Sequence, residues 1–325
     1  MANVTIIMYH YVRDLKHSRY PKIKGLDSDL FKNQIEYILK YYKVIRMEEL
    51  FGALVGNNTL PNNSILLTFD DGFKDHFEYV FPILDEMGLQ GSFFPSVRAI
   101  IEKRVLDVHK ISFILSNVDN KRLLLEEIYL LIEKYSPKYR PNIRKEYNKI
   151  SQDRRFDNSI ITLIKALLQQ NLPIIMRRNI NRELFYRYVS NDEKNFAQEL
   201  YMNIDQLKCM IRHGMYIGNH GWDHYRLNKL SKQRQRKEIE ISLKFMKSVG
   251  CDVNKWAMCY PHGSYNESII NLLKNNSCMV GFSTEVGIAD IDNGNPFALP
   301  RLDTNDLPKD KNAEPNEWTK KVIKF

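Results

Sequence analysis

Leu66-Leu67-Thr68-Phe69-Asp70-Asp71-Gly72 decides how the rest of this sequence is read. An apolar, strand-like run that delivers two adjacent carboxylates and a glycine is costly local chemistry. Neighbouring acids repel, and burial raises the pKa of at least one unless a cation or strong hydrogen-bond donors compensate. A metal ion is the simplest such cation. Asp-Asp-Gly after a strand also reads as a solvated turn, so a second half of the site is needed. Met215-Tyr216-Ile217-Gly218-Asn219-His220-Gly221-Trp222-Asp223-His224 offers one: another apolar run, delivering two histidines four residues apart. Four residues is about one helical turn, so both imidazoles can face one point. Such pairs also occur without a ligand role. Asp71 with His220 and His224 gives three N/O ligands with open positions for water and substrate, as a hydrolytic metal needs. Asp70 is left beside them, free to accept a proton.

At these residues the chain resembles the polysaccharide deacetylases, the NodB-homology domain or carbohydrate esterase family 4. Thr68-Phe69-Asp70-Asp71-Gly72 matches that family's first motif letter for letter. His220-Gly221-Trp222-Asp223-His224 matches its second, with Gly221 where Ser or Thr is usual. Tyr260-Pro261-His262-Gly263-Ser264-Tyr265 looks like its Pro-aromatic-Gly loop, with His262 in the aromatic position. The resemblance implies an α/β fold, a distorted (β/α) barrel of about seven strands, with the motifs at the C-terminal ends of strands where barrel enzymes place their chemistry.

Departures from the pattern are equally informative. The arginine that stands two residues before the motif-three proline in extracellular members is Cys259 here, and the later Asp-Trp and C-terminal Leu-x-His motifs are missing. Circularly permuted members carry the acid histidine on an N-terminal strand. Val4-Thr5-Ile6-Ile7-Met8-Tyr9-His10-Tyr11-Val12 is a β-branched run that delivers His10, so the resemblance assigns the general acid to His10. A core or capping histidine is the other reading. Arg301 stands in for the missing arginine as partner of Asp70, or is an ordinary surface ion pair.

The resemblance implies hydrolysis of an acetamido group on an amino sugar. Asp71, His220 and His224 would hold a divalent metal, Zn²⁺ by ligand type, with Co²⁺, Ni²⁺, Mn²⁺ or Fe²⁺ compatible. Asp70 would act as base, His10 as acid, and a backbone N–H in the Tyr260-Pro261-His262-Gly263 loop would hold the oxyanion. Two other classes stay open: a related metal-dependent amidase cleaving a formyl or cyclic amide, and a non-catalytic carbohydrate-binding relative.

The chain has 325 residues, 43% hydrophobic and 11% aromatic, which is ordinary globular usage and excludes disorder. Its four cysteines, Cys209, Cys251, Cys259 and Cys278, show no CxxC or zinc-ribbon spacing and read as reduced thiols of a cytoplasmic protein. The apolar run from Val4 has the length of a strand rather than a signal peptide, and no segment approaches a membrane span. The net charge of +9 invites a nucleic-acid reading. Its basic residues alternate with acids along helical stretches such as Arg140 to Arg155, and no recognition-helix signature accompanies them. An anionic substrate, such as a nucleotide- or lipid-linked sugar, or the inner membrane surface explains the charge more economically.

Periodicity predicts a strand over 4–12, helices over 29–42 and 47–54, a short strand over 44–46, and the motif-one strand after a polar loop at 56–64. A helix over 76–88 and a strand over 91–95 complete this βα alternation. From 98 to 203 helical periodicity takes over, predicting a helical insertion over the active site, with His109 as a substrate contact or a core histidine. The framework resumes with helix 204–212, the motif-two strand, helix 231–249, strand 257–260, helix 267–275 and strand 279–283. The expected organisation is a barrel domain over 1–97 and 204–310, the insertion over 98–203, and a polar tail over 311–325. The sequence leaves the oligomeric state open.

Overall fold

In the computed structural model, which describes residues 3–137 and 159–323, motif one ends a strand, Ser64–Asp71, that is buried along its whole length. In chain order the strands are β1 Asn3–Tyr9, β2 Val12–Arg13, β3 Leu26–Asp27, β4 Lys43–Val44, β5 Ser64–Asp71, β6 Ser92–Pro95, β7 Tyr216–Ile217, β8 Trp256–Cys259, β9 Cys278–Phe282, β10 Ala289–Asp290 and β11 Leu302–Asp303. β1, β5, β6 and β7 form successive parallel pairs, with Tyr9 opposite Phe69, Asp70 opposite Phe94, and Phe93 opposite Ile217. A bridge between Asn219 and Met258 continues to β8, which pairs with β9. Phe282 then bridges to Leu299, and Leu302 in β11 lies beside Ile7 of β1. The parallel pairings thus lead back to the first strand, as a distorted (β/α) barrel requires.

The described residues divide into two units. The first comprises Met1–Asp14, Gly25–Lys103 and Gln198–Phe325; the second, Leu15–Lys24 and Arg104–Ala197. Parallel strands are covered on both faces, so they read as near-continuous apolar runs. The first unit's core includes an aromatic column in which Tyr9, Phe69 and Phe93 stack at centroid separations of 4.9 and 4.7 Å. The Tyr9 hydroxyl donates to Gln34, whose amide donates to the carbonyls of Thr304 and Leu307. A buried polar group at one end of the column is thereby satisfied.

Several expected elements differ in detail. The N-terminal run is two strands, broken at His10 and Tyr11, so His10 sits at a turning point rather than inside a strand. The segment after motif one begins as a π-turn, His76–Val80, before the α-helix Phe81–Glu86. Helix Lys232–Val249 starts on Ser231, whose hydroxyl accepts Arg234 N–H, and stops at Gly250 in the left-handed conformation. The 311–325 tail contains a helix, Glu317–Val322. Its buried Thr319 hydroxyl bonds to the Tyr37 and Tyr42 hydroxyls, an anchor that charge composition does not reveal.

The second unit is helical, with helices Asp107–Asn117, Lys121–Tyr135, Ser159–Ala166 and Ile174–Tyr188. It includes Leu15–Lys24, which the sequence pattern attached to the framework. Tyr20 packs edge-on against Phe113 and Phe196, and Lys22 pairs with Asp119. His109 lies buried in helix Asp107–Asn117. The charged Arg140 to Arg155 stretch lies outside the described residues.

Phe93 is fully buried against Phe69 and the His76 ring. Phe93→Ala should lower unfolding stability by about 3–5 kcal/mol in chemical denaturation. A loss below about 1 kcal/mol would mean the column does not carry the core.

Candidate active site

The acids of motif one end β5 almost completely buried, Asp70 at 2% and Asp71 at 3% exposure. Asp71 has a left-handed backbone, φ 73°, which costs a non-glycine residue about 1–2 kcal/mol. Gly72 follows at φ 72°, and a Cβ there would stand 2.6 Å from that of Pro95, so only glycine fits the turn. These two residues turn the chain as it leaves β5.

Asp71 faces the histidines. Its Oδ1 lies 3.3 Å from His220 Nε2 and 3.2 Å from His224 Nε2, and the three ligand atoms lie within 4.8 Å of one another. His220 Nδ1 donates to the Cys259 carbonyl at 2.7 Å, which fixes the tautomer and leaves Nε2 as the coordinating nitrogen. Convergence does not come from a helical turn, as the four-residue spacing implied. The 220–224 segment is irregular, and the left-handed Gly221 (φ 74°) and His224 (φ 52°) fold it back on itself. That conformation accounts for glycine at 221. A Cβ there would meet nothing closer than 3.6 Å, so backbone conformation, not space, disfavours a hydroxyl residue.

Asp70 pairs with Arg301, and one of its oxygens also lies within 4.8 Å of a His220 ring nitrogen and the Cys259 sulfur. The guanidinium binds Asp70 bidentately at 3.0 and 2.8 Å, and also donates to the Thr68 hydroxyl and the Ser283 carbonyl. Arg301 is 1% exposed, so this is a buried pair and not a surface one. Burial alone would raise the Asp70 pKa; the charges of Arg301 and His220 outweigh it and hold the carboxyl well below the usual range. The Cys259 thiol adds a donor at 3.1 Å. Burial also opposes protonation of His220, yet the Asp71 contact and the Asp70 charge raise its pKa. A buried imidazole drawn toward protonation by two acids marks a field that a cation would satisfy, and one carboxylate with two imidazoles suits a divalent transition metal.

The third motif closes the site. The His262 ring stands edge-on to His224 at 4.5 Å, and burial followed by the His224 charge pushes its pKa well down, so it packs as a neutral ring. Tyr260, Gly263 and Ser264 spend their N–H groups on the carbonyls of Phe282, Tyr260 and Pro261. Pro261 has none. From Tyr260 to Ser264, among the described residues, His262 N–H is the donor without a backbone partner.

His10 follows Tyr9 as Asp70 follows Phe69 in the neighbouring strand, and its charge acts on Asp70. Its carbonyl accepts from His76 Nε2 at 2.6 Å. His76 is fully buried among Phe69, Phe73 and Phe93, and burial lowers its pKa to about 4, so it is a neutral donor that fixes His10's backbone. The sequence reading missed His76 and also Glu238, which accepts the N–H groups of Trp222 and Asp223. The available signals were a histidine inside an aromatic run and an acid on the apolar face of an otherwise basic helix. His109 is buried in the second unit.

The polysaccharide deacetylase family model matches residues 156–280, which span motifs two and three. Over 109 residues, 34% of this chain, the sequence is 31% identical to the putative polysaccharide deacetylase YxkH of Bacillus subtilis (strain 168); the match spans 38% of that relative's length. The fold is similar to the deacetylase PplD of Streptococcus pyogenes, solved in complex with acetate, with a TM-score of 0.57, 18% identity, and coverage of 94% of this chain and 93% of that one. It is also similar to IcaB from Ammonifex degensii, with a TM-score of 0.56, 14% identity, and coverage of 99% and 96%.

The Asp70–Arg301 pair makes a testable prediction. Because the Asp70 pKa is lower folded than unfolded, the pair's contribution is complete above the unfolded carboxylate value, about 3.9. It is lost as pH falls from there through the folded value. Arg301→Met should leave an uncompensated buried acid, costing about 3–5 kcal/mol at pH 7, and carboxyl NMR should show Asp70 titrating higher than in the parent chain. An unchanged Asp70 titration would remove Arg301 as its controlling partner. Residues 156–280 thus match the polysaccharide deacetylase family model, and the chain shares the fold of solved deacetylases.

Proposed function

We propose that this protein is a metal-dependent carbohydrate de-N-acetylase that removes an acetyl group from an amino sugar of a surface polysaccharide or its nucleotide- or lipid-linked precursor. The observation that carries this reading is a buried, ionised carboxylate, Asp70, held by Arg301 directly beside the Asp71, His220 and His224 cluster. A merely structural set of buried acids has no reason to keep a charged carboxylate on an arginine within 4.8 Å of a ligand histidine. The net charge of +9 favours a substrate bearing phosphate, at the cytoplasmic membrane surface or in solution. Among the described residues no helix is long and apolar enough to cross a membrane.

Asp71, His220 and His224 would hold the divalent ion, with Zn²⁺ favoured by the ligand types. When bound, such an ion supplies Lewis acidity toward a carbonyl oxygen and lowers the pKa of water toward about 7. Asp70 accepts the proton of the attacking water. Its bidentate contact with Arg301 fixes both oxygens and keeps it charged at neutral pH, at the expense of intrinsic basicity. The His262 N–H donates to the oxygen that gains charge as the acetyl carbon becomes tetrahedral. His10 donates a proton to the departing sugar nitrogen, which cannot leave as an amide anion.

The purified chain should take up about one divalent transition metal and release acetate from nucleotide-linked N-acetylhexosamines, with no formate released from the N-formyl counterparts. His224→Ala should abolish metal uptake, while Asp70→Asn should keep the metal and lose turnover by several orders of magnitude. Full metal occupancy in His224→Ala would sink the ligand assignment, and formate release from an N-formyl substrate without acetate release from the N-acetyl one would favour an amidase.

For His10→Ala the expectation is unchanged metal content and fold, with turnover on an amide reduced about 10²-fold or more. The loss on an activated acetate ester, whose leaving group needs no proton, should be much smaller. Equal losses on both substrates would remove the acid role from His10.

A further inference from the structure

The 220–224 segment carries two of the three proposed ligands without any regular secondary structure, so its backbone groups must find partners elsewhere. They find them on two helices. At the start of helix Val97–Ile101, Val97 N–H donates to the Gly221 carbonyl at 3.3 Å and Arg98 N–H to that of Trp222 at 2.9 Å. The Arg98 guanidinium also pairs with the Asp223 carboxylate. On helix Lys232–Val249, Glu238 Oε2 accepts both Trp222 N–H and Asp223 N–H at 3.0 Å. One turn further on, Ser242 holds Asn219, which accepts Gly221 N–H.

Glu238 is the unusual member of this set. It is 7% exposed, it faces a second carboxylate, Asp223, and burial raises its pKa to about 7. Retaining an acid there is unfavourable unless its contacts matter. Its Oε2 lies 3.6 Å from where a Gly221 Cβ would stand, beside the position where the family pattern usually has a hydroxyl. Both N–H groups lie between the two histidines, and His224 is held in a left-handed conformation that its own sequence does not favour.

We infer that Glu238 is a positioning residue for the metal site: its carboxylate pins the Trp222 and Asp223 N–H groups so that His220 and His224 stay converged on Asp71. This rests on the metal-site reading above. Without those two bonds, the segment keeps its hold on helix Val97–Ile101 but loses its N–H anchors between the histidines, and His224 Nε2 is less firmly held at 3.2 Å from Asp71.

Titration of the full chain with Zn²⁺ against a competing chelator tests this apart from activity. Glu238→Ala should weaken affinity about 10–100-fold. Glu238→Gln, whose amide oxygen still accepts both N–H groups, should stay within about threefold of the parent. Glu238→Asp keeps the charge but loses reach, and should weaken binding about tenfold even if the alanine variant fails to fold. Leu273→Ala, which destabilises a core position outside the site, should leave affinity unchanged. A parent chain that binds Zn²⁺ while Glu238→Asp binds equally well overturns this inference alone, as does a glutamine variant no better than the aspartate one. A parent chain that takes up no cation overturns the metal-site reading together with it.

Discussion

The bidentate ion pair between Arg301 and Asp70 is the constraint on which the rest of this structure depends. Removing two charges from water is expensive, and their mutual attraction repays that cost only when geometry and the remaining hydrogen bonds are complete. Here they are: the guanidinium serves both Asp70 oxygens, the Thr68 hydroxyl and the Ser283 carbonyl. The pair lets β5 end in two acids while remaining buried along its length. It also ties a residue some 230 positions away in sequence, at the entrance to β11, to the strand that carries motif one.

Around this pair the three motifs share one device. Each turns at the C-terminal edge of a strand through left-handed residues: Asp71 and Gly72, Gly221 and His224, and His262 with its following glycine. Non-glycine residues in that conformation persist only where their surroundings over-determine them, and such residues concentrate at functional sites. The turns explain how two consecutive acids come to serve different partners, and how two histidines converge without a helix.

The supporting interactions come from helices that carry no motif. Glu238 and Ser242 hold the 220–224 segment, Arg98 clamps it from another side, and His76 holds His10 by its carbonyl. Their role is to make flexible segments rigid, which a functional site on loops requires as much as its reactive groups.

The sequence by itself determined the strand that ends in Asp70 and Asp71, the pairing of those acids with His220 and His224, the alternating βα framework and most helix boundaries. Local patterns carry that information: apolar runs, caps such as Ser231 and Gly250, and reactive side chains at short spacing. Arg301 was legible only as a candidate, because nothing local distinguishes a buried arginine from a surface one. His76, Glu238 and the anchoring of Thr319 were not legible, nor was the membership of Leu15–Lys24 in the helical unit. Each depends on which distant backbone group or ring arrives beside it. The sequence also named Asp71 for the histidines and Arg301 as a partner for Asp70, but only tertiary structure decided how adjacent acids meet different partners, through the left-handed backbone of Asp71 and the burial that forces every charge to find a partner.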